Sequence, residues 1–387
     1  MNTSASVVVI GGGVIGASIA YHLALTGLRD VVVVDRASGP GAGSTGKATG
    51  GYRAQFATPI NVRLSLFARD KLIRFLEETG VDSGYQPVGY LWLAGSDRQL
   101  ELLRESQRMQ HEEGLFDAVE LGLGEIAEVN PAISLDHLAG AAFCPTDGYI
   151  RPLDILRGYI EAAERLGVRF LWGEEITGVS RDSSDRITQV TSASNSYSAD
   201  NYVNAAGPWA ATIAALAEVV LPVVPLRRQV ALTVPTDALP ASMPMTLFME
   251  DDFHMRVRDG RVMLCWPSPE APGEPAELHA DSSWIDIVAS KGRDRVPGLA
   301  NVEIERAMCY AGLYEVSPDD HAIIGRSVEC ENFWLANGSS GHGVMHSPAI
   351  GHIVADLICG RTPQVDITQL RPSRFAEGAA IVSSELI

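Results

Sequence analysis

The chain has 387 residues, of which 46% are hydrophobic and 20% charged, and 30 Lys and Arg against 48 Asp and Glu give a formal net charge of −18. Such a length admits two or more domain-sized cores, and such a composition belongs to a folded globular chain rather than a disordered one. A surface this acidic disfavours nucleic acid and anionic membranes as partners, although it leaves room for a locally basic pocket.

The first element is the most informative. Val7 to Ile10 reads as a strand, and Gly11-Gly12-Gly13-Val14-Ile15-Gly16 follows it into an apolar helix over about Val14 to Thr26. A second strand, Val31 to Val34, closes on Asp35. In this G-x-G-x-x-G arrangement Gly11 permits the tight turn, Gly13 admits a pyrophosphate to backbone N–H groups, and Gly16 brings the helix close to the strand. The helix N-terminus favours anionic phosphates, and Asp35 is placed to hydrogen-bond a ribose diol. Ile15, Ile19 and Leu23 make one buried stripe, and Gly27 suits a left-handed cap. Val31 to Val34 is apolar on both faces, as a central parallel strand should be.

A second glycine-rich loop covers Gly39 to Gly51 and leads through Tyr52-Arg53-Ala54-Gln55-Phe56 into a helix over about Pro59 to Thr79. Its position directly after the nucleotide strand suits a cofactor-wrapping loop better than a linker. Strands are expected at Tyr85 to Leu93 and Leu138 to Cys144, with helices near Asp97–Glu113 and Gly124–Val129. Asp147-Gly148 reads as a turn, and Pro152 opens a helix to Leu166, where proline is tolerated in the first turn. Val168 to Trp172, Ile187 to Thr191 and Tyr202 to Ala206 read as strands. A β-rich stretch follows with Val230–Val234, His254–Val257 and Arg261–Trp266, then a helix from Ser282 to Arg293. Val302 to Ala311 and Phe333 to Ala336 return to strand, and Asn337 to Gly343 enters a last helix ending near Cys359. Nucleotide-type elements thus recur at the start, middle and end, with two mostly antiparallel insertions between them.

Cys144, Cys265, Cys309, Cys330 and Cys359 are scattered and never in C-x-x-C spacing. No disulfide framework and no metal site are therefore expected. No basic leader precedes the first strand, and Val219 to Val224 is short and broken by Pro222. A cytoplasmic protein without a membrane span is expected.

Both nicotinamide and flavin dinucleotides fit the N-terminal motif. The further glycine loops at 39–51 and 338–343 favour FAD, whose isoalloxazine ring needs backbone dipoles from several directions. Gly338 to Gly343, entering a helix, suits the flavin N1/C2 carbonyl, where negative charge gathers on reduction.

Five segments together resemble the FAD-dependent D-amino-acid oxidase superfamily, in its sarcosine oxidase and glycine oxidase branch. They are the N-terminal glycine motif, Gly43 to Arg53, Asn204-Ala205-Ala206-Gly207-Pro208-Trp209, Gly312-Leu313-Tyr314-Glu315-Val316-Ser317-Pro318-Asp319, and Gly338 to Gly343. The look is nearest to the β subunits of heterotetrameric sarcosine oxidases and dye-linked L-proline dehydrogenases. The resemblance implies an α/β (α+β overall) fold: a glutathione-reductase-type FAD-binding Rossmann domain with a discontinuous antiparallel-sheet substrate domain. The expected division is 1–84, 147–218 and 305–387 for FAD, and 85–146 and 219–304 for substrate. It implies cofactor contacts at Gly11, Gly13, Val14, Ile15, Gly16, Asp35 and Arg36 in the first unit. From the second loop it adds Gly43, Ser44, Thr45, Lys47, Ala48, Thr49, Gly50 and Gly51. Farther on it adds Ile176, Ala205, Ala206, Gly207, Trp209, Gly312, Gly338, Ser340, Gly341, His342, Gly343, Val344 and Met345. Asp35 departs from the glutamate of most members. Covalent attachment in relatives uses a cysteine matching Gly312 or a histidine matching Lys47, and neither is present, so noncovalent FAD is expected.

The implied chemistry moves a hydride from the carbon next to an amine onto flavin N5, giving an imine from a small amino acid or N-alkyl amino acid such as sarcosine, proline or glycine. Arg53 matches the arginine that grips the substrate carboxylate, and Tyr314 matches a tyrosine near flavin and substrate. His342 is expected to serve the flavin through its backbone. His254 and His346 are read as structural rather than pocket histidines. Met345 and, through the strand Arg261 to Trp266, Met263 replace lysines of oxygen-using relatives. That leaves oxygen, a quinone or a partner subunit as acceptor and tilts toward a dehydrogenase, which could be part of a hetero-oligomer. The alternatives are an FAD-dependent 2-hydroxy-acid dehydrogenase and a non-catalytic FAD-binding subunit of a larger complex.

Overall fold

The computed structural model describes residues 2–267, 271–273 and 278–382. Met1, at the head of the expected lead-in, lies outside them. The first strand runs Asn2–Ile10 and the glycine motif turns it into the helix Val14–Leu25. Val31–Asp35 follows, fully buried up to its last residue. These strands pair in parallel with Val9 opposite Val33, and Val9 also lies opposite Val203 of Ser196–Asn204. The sheet order is Ile323–Arg326, Phe333–Asn337, Ser196–Asn204, Asn2–Ile10, Val31–Asp35 and Arg169–Trp172, with Gly178–Arg181 and Ile187–Thr191 attached beside Ser196–Asn204. All pairs along that main path are parallel except Ile323–Arg326 with Phe333–Asn337. This gives the mixed α/β architecture with a Rossmann-like nucleotide fold.

Helices Val14–Leu25, Pro59–Ile73, Pro152–Arg165 and Gly343–Ile358 pack together on one side. The first and last approach so closely that a Cβ on Gly351 would lie 2.1 Å from Ser18 Oγ. Ile19, Leu23, Ile350 and Val354 belong to the core they share.

The second sheet is ordered Tyr310–Val316, Val224–Leu232, Arg261–Cys265, Phe253–Arg258, Met245–Phe248, Tyr90–Ala94, Gly140–Cys144 and Val119–Leu121. Its pairs are antiparallel except Met245–Phe248 with Tyr90–Ala94. Both insertions therefore build one sheet. The strand Tyr310–Val316, placed on the nucleotide side by a boundary at 305, instead pairs along its whole length with Val224–Leu232.

Other differences have local causes. The strand expected from Tyr85 begins at Tyr90, because Pro87 and Gly89 (φ 94°) break extended pairing. The helix expected through Thr79 is interrupted at Arg74, whose backbone leaves helical geometry between Pro59–Ile73 and Phe75–Thr79. Within Val302 to Ala311 the residues Arg306–Met308 form a 3₁₀ turn, with Met308 N–H donating to Glu305 O, and the strand starts only at Tyr310. The strand expected over Tyr202 to Ala206 is longer at its start and ends at Asn204. Gly178–Arg181, Met245–Phe248 and Ile323–Arg326 are four-residue strands that the sequence reading missed. No helix among the described residues is long and apolar enough to cross a membrane.

Candidate cofactor and substrate site

A cavity of about 690 Å³ runs from the glycine motif to the underside of the second sheet. At one end Gly11 (φ 111°) makes the turn, and a Cβ there would fall 2.2 Å from Ala205 O. Gly16 does not line the cavity. Its Cβ would sit 1.9 Å from Gly11 O, so its role is to seat the helix on the turn. By contrast Gly13 would meet only Thr45 Oγ1, at an ordinary 3.6 Å, and Gly43 nothing within 4 Å. Packing within the chain does not explain their missing side chains; space for a ligand does. Val14 N–H, first in its helix, donates to Thr45 Oγ1 and ties the two glycine loops together.

Asp35 reaches the cavity, but its carboxylate accepts from Gly12 N (2.7 Å) and Ala37 N (2.7 Å). It therefore holds the glycine turn as well as facing the place of a ribose. The Arg36 guanidinium lies 3.8 Å over the Trp209 ring, closing that end. Ser44 Oγ is buried without a hydrogen-bond partner. Empty-faced glycines, an orphaned hydroxyl and a long cavity over a helix N-terminus fit a dinucleotide.

All the expected cofactor residues line this cavity except Gly16 and Gly338. Gly338 (φ 70°) makes the turn after Phe333–Asn337, with Ser317 Cβ close by. Gly312 and Lys47 meet: a Cβ on Gly312 would lie 2.7 Å from Lys47 Cβ. The two positions that bear attachment nucleophiles in the resembling enzymes thus share one point of the wall.

The other end is roofed by the second sheet: Tyr90 with Trp92 and Met245 with Leu247 follow the period-two alternation, whereas on Val224–Leu232 and Tyr310–Val316 the neighbours Gln229, Val230, Leu313 and Glu315 also reach the cavity. Tyr90 and Trp92, Met245 and Leu247, His254, Cys265, Arg228 and Tyr314 all face it. From the nucleotide side comes Arg53. It is buried rather than paired at the surface, and its guanidinium lies 3.9 Å over the Phe56 ring. It donates to Gln55 O (2.8 Å) and lies 3.1 Å from His342 Nε2. Burial, then the charge of Arg53, holds the His342 pKa well below 6.5, so its Nε2 is the accepting atom. The imidazole thus orients Arg53, a part that reading only its backbone missed. Arg53 N–H also meets Met345 Sδ (3.5 Å). Asp147 accepts from Ala54 N (2.7 Å) and Gln55 Nε2 (3.2 Å), and burial lifts its carboxyl to about 6. Tyr314 keeps 36% of its surface exposed on the cavity wall, and enclosure among the surrounding residues still raises its pKa, keeping its phenol a neutral donor.

His254 lines the cavity, against expectation, and its Nδ1 is 2.9 Å from Asp252 O. His346 does not line it and meets Ser65 Oγ at 2.8 Å. Met263 is wholly buried beside Val230 and Leu232, and the residue of its strand on the cavity wall is Cys265. Arg228 and the Tyr90–Trp92 pair were missed. The Tyr-Leu-Trp alternation was the available signal, whereas Arg228 sits next to Arg227 with nothing in the sequence to tell which faces inward.

The profile of the FAD dependent oxidoreductase family, DAO, matches residues 6–357. The chain belongs to this family. As a DAO-family oxidoreductase its cofactor is FAD. It is 28% identical over 395 residues to the mitochondrial dimethylglycine dehydrogenase of Rattus norvegicus, covering 96% of this chain and 45% of that protein. The DAO-family chain thus spans less than half the length of that relative. Against the glycine oxidase of Bacillus licheniformis it is 28% identical over 359 residues, with 91% and 92% covered. Among solved structures, L-proline dehydrogenase from P. horikoshii superposes with a TM-score of 0.90 at 26% identity, covering 98% of this chain and all of that one.

Proposed function

We propose that this DAO-family flavoprotein oxidises small amino acids or N-alkyl amino acids of the sarcosine, proline or glycine kind to imines. The observation that carries this reading is Arg53, a buried guanidinium on the cavity wall held in plane by Gln55 O, His342 and the Phe56 ring. A fixed, planar cation suits a carboxylate. FAD, when bound, supplies the two-electron acceptor for the substrate C–H bond. Arg53 grips the carboxylate and fixes the α-carbon. Tyr314, a neutral phenol, donates a second hydrogen bond to that carboxylate. Tyr90, Trp92, Met245 and Leu247 exclude water from above, strengthening every polar contact inside. The noncovalent cofactor contacts are the cavity-lining residues named above, and the nucleotide and substrate units divide broadly as the two sheets do.

We further assign the acceptor to a quinone, dye or partner subunit rather than oxygen, since Met345 stands on the cavity wall at the position where the resembling oxygen-using enzymes carry a lysine, and the location to the cytoplasm. The test is an anaerobic screen of sarcosine, proline, glycine, D-amino acids and 2-hydroxy acids, following flavin bleaching. Bleaching by amines supports the proposal. Bleaching only by hydroxy acids, or by no donor while FAD stays bound, overturns it.

A further inference from the structure

The substrate end of the cavity holds a second guanidinium. Arg228 projects from Val224–Leu232, opposite Gly312 in register, and lines the cavity with Arg53. A continuous stretch of wall links them. The Arg228 guanidinium lies 5.8 Å from the Tyr314 ring, that ring packs on Gly341, and next to Gly341 His342 holds Arg53. The two cations differ in their commitments. Arg53 is buried, stacked and hydrogen-bonded. Arg228 is half-buried, and its hydrogen bond to the Arg227 carbonyl is long, at 3.4 Å. Among the described residues no carboxylate forms an ion pair with it. Asp252, also on the cavity wall, and Asp320 both feel its positive charge from beyond ion-pair distance, so they offset it only in part. His254 feels the positive charge of both arginines.

One cation suffices for an amino acid with one carboxylate. A second, half-buried on the same wall and without a carboxylate in ion-pair contact, is better satisfied when an anion joins it. We infer that Arg228 is a specificity residue, binding a second anionic group of the substrate, so that the preferred donors are amino acids bearing a further carboxylate on the nitrogen substituent or side chain. This inference rests on the amine-oxidation reading above. The rival occupant of the same corner is a cation paired with Asp252.

The test uses FAD-loaded protein and reads binding, which needs no turnover. Flavin absorbance is titrated anaerobically with three thioether analogues, in which sulfur replaces the substrate nitrogen: methylthioacetate with one carboxylate, thiodiacetate with two, and (2-aminoethylthio)acetate with a carboxylate and a distal ammonium. Wild type should bind thiodiacetate most tightly, roughly 10- to 100-fold tighter than methylthioacetate, the usual worth of a charge-assisted hydrogen bond. Arg228→Met should erase that preference while leaving methylthioacetate affinity within about twofold, and Arg228→Lys should retain part of it. Equal affinity for one and two carboxylates, tightest binding of the ammonium analogue, or equal weakening of all three by Arg228→Met overturns the inference. Should Arg228→Met fail to fold, the wild-type ranking and Arg228→Lys still decide. A donor screen without amine bleaching would sink the proposed reaction, whereas a wild type without the two-carboxylate preference, or a variant Arg228→Met that keeps it, sinks only the role of Arg228.

Discussion

Arg53→Lys tests the substrate grip most directly. The native guanidinium spends Nη1 on Gln55 O at 2.8 Å, directs Nη2 at His342 Nε2 at 3.1 Å, and lies flat on Phe56 at 3.9 Å. Those contacts fix its plane, so its remaining N–H groups point in set directions. A lysine ammonium keeps the charge but has no plane to stack, and cannot serve the carbonyl, the imidazole and a carboxylate at the same angles. Losing one charge-assisted hydrogen bond to the substrate is worth about 1.5–3 kcal/mol, or roughly 10- to 100-fold in kcat/KM. The assay compares an amino acid with its amine analogue lacking the carboxylate, in wild type and variant, with the bound-flavin spectrum and melting temperature as controls on the fold. Wild type should prefer the acid strongly and Arg53→Lys much less. Equal proportional loss on both donors would refute a carboxylate role and leave Arg53 a structural or flavin-contacting residue.

Three further outcomes are expected. Heat or acid should release yellow FAD into the supernatant, because Lys47 and Gly312 meet on the cavity wall without a thiol or imidazole between them; colour retained on the precipitated chain would contradict this. Asp35→Ala should weaken FAD binding to apoprotein by roughly 1–3 kcal/mol, since it frees the Gly12 and Ala37 N–H groups as well as any ribose contact, and an unchanged titration would exclude the role. His346 is buried, and burial, then Arg53 and His321, lower its pKa from 6.5 to about 3. The unfolded chain therefore takes up a proton that the folded one refuses, and stability present above pH 6.5 is lost as pH falls toward 3, by roughly 4 kcal/mol from this group. His346→Gln should flatten thermal melts over that window; identical slopes would show that another group dominates.

The nucleotide unit was legible because its physics is local. Gly11, Gly13, Gly16 and Asp35 act within one strand-turn-helix-strand unit, and backbone sterics alone assign most of their roles. The motif assigned the ligand face to Gly13 and close packing to Gly16, and both roles hold: a Cβ on Gly13 would meet only Thr45 Oγ1 in ordinary contact, one on Gly16 would collide with Gly11 O. Gly16 was wrongly counted among the cofactor contacts as well, because membership of the motif does not tell which of its glycines reaches the cavity wall. Asp35 was placed correctly, yet its hold on the glycine turn was invisible, because backbone N–H groups carry no sequence signal.

The substrate end was less legible because it is assembled from segments far apart in the chain. Tyr90, His254 and Arg228 come together only once the two insertions pair into one sheet. Short strands such as Met245–Phe248 carry too few residues for alternation to declare itself, although that strand joins the two insertions. Arg227 and Arg228 show the difficulty in its smallest form. Adjacent strand residues point to opposite faces, so a shift of one register position would exchange them. The pairing of Arg228 with Gly312 settles the choice: Arg227 turns outward to Asp281, and Arg228 turns inward to Tyr314 and the cavity. The charge that distinguishes this pocket is therefore a property of sheet register, and it lies outside the glycine motifs that disclose the cofactor.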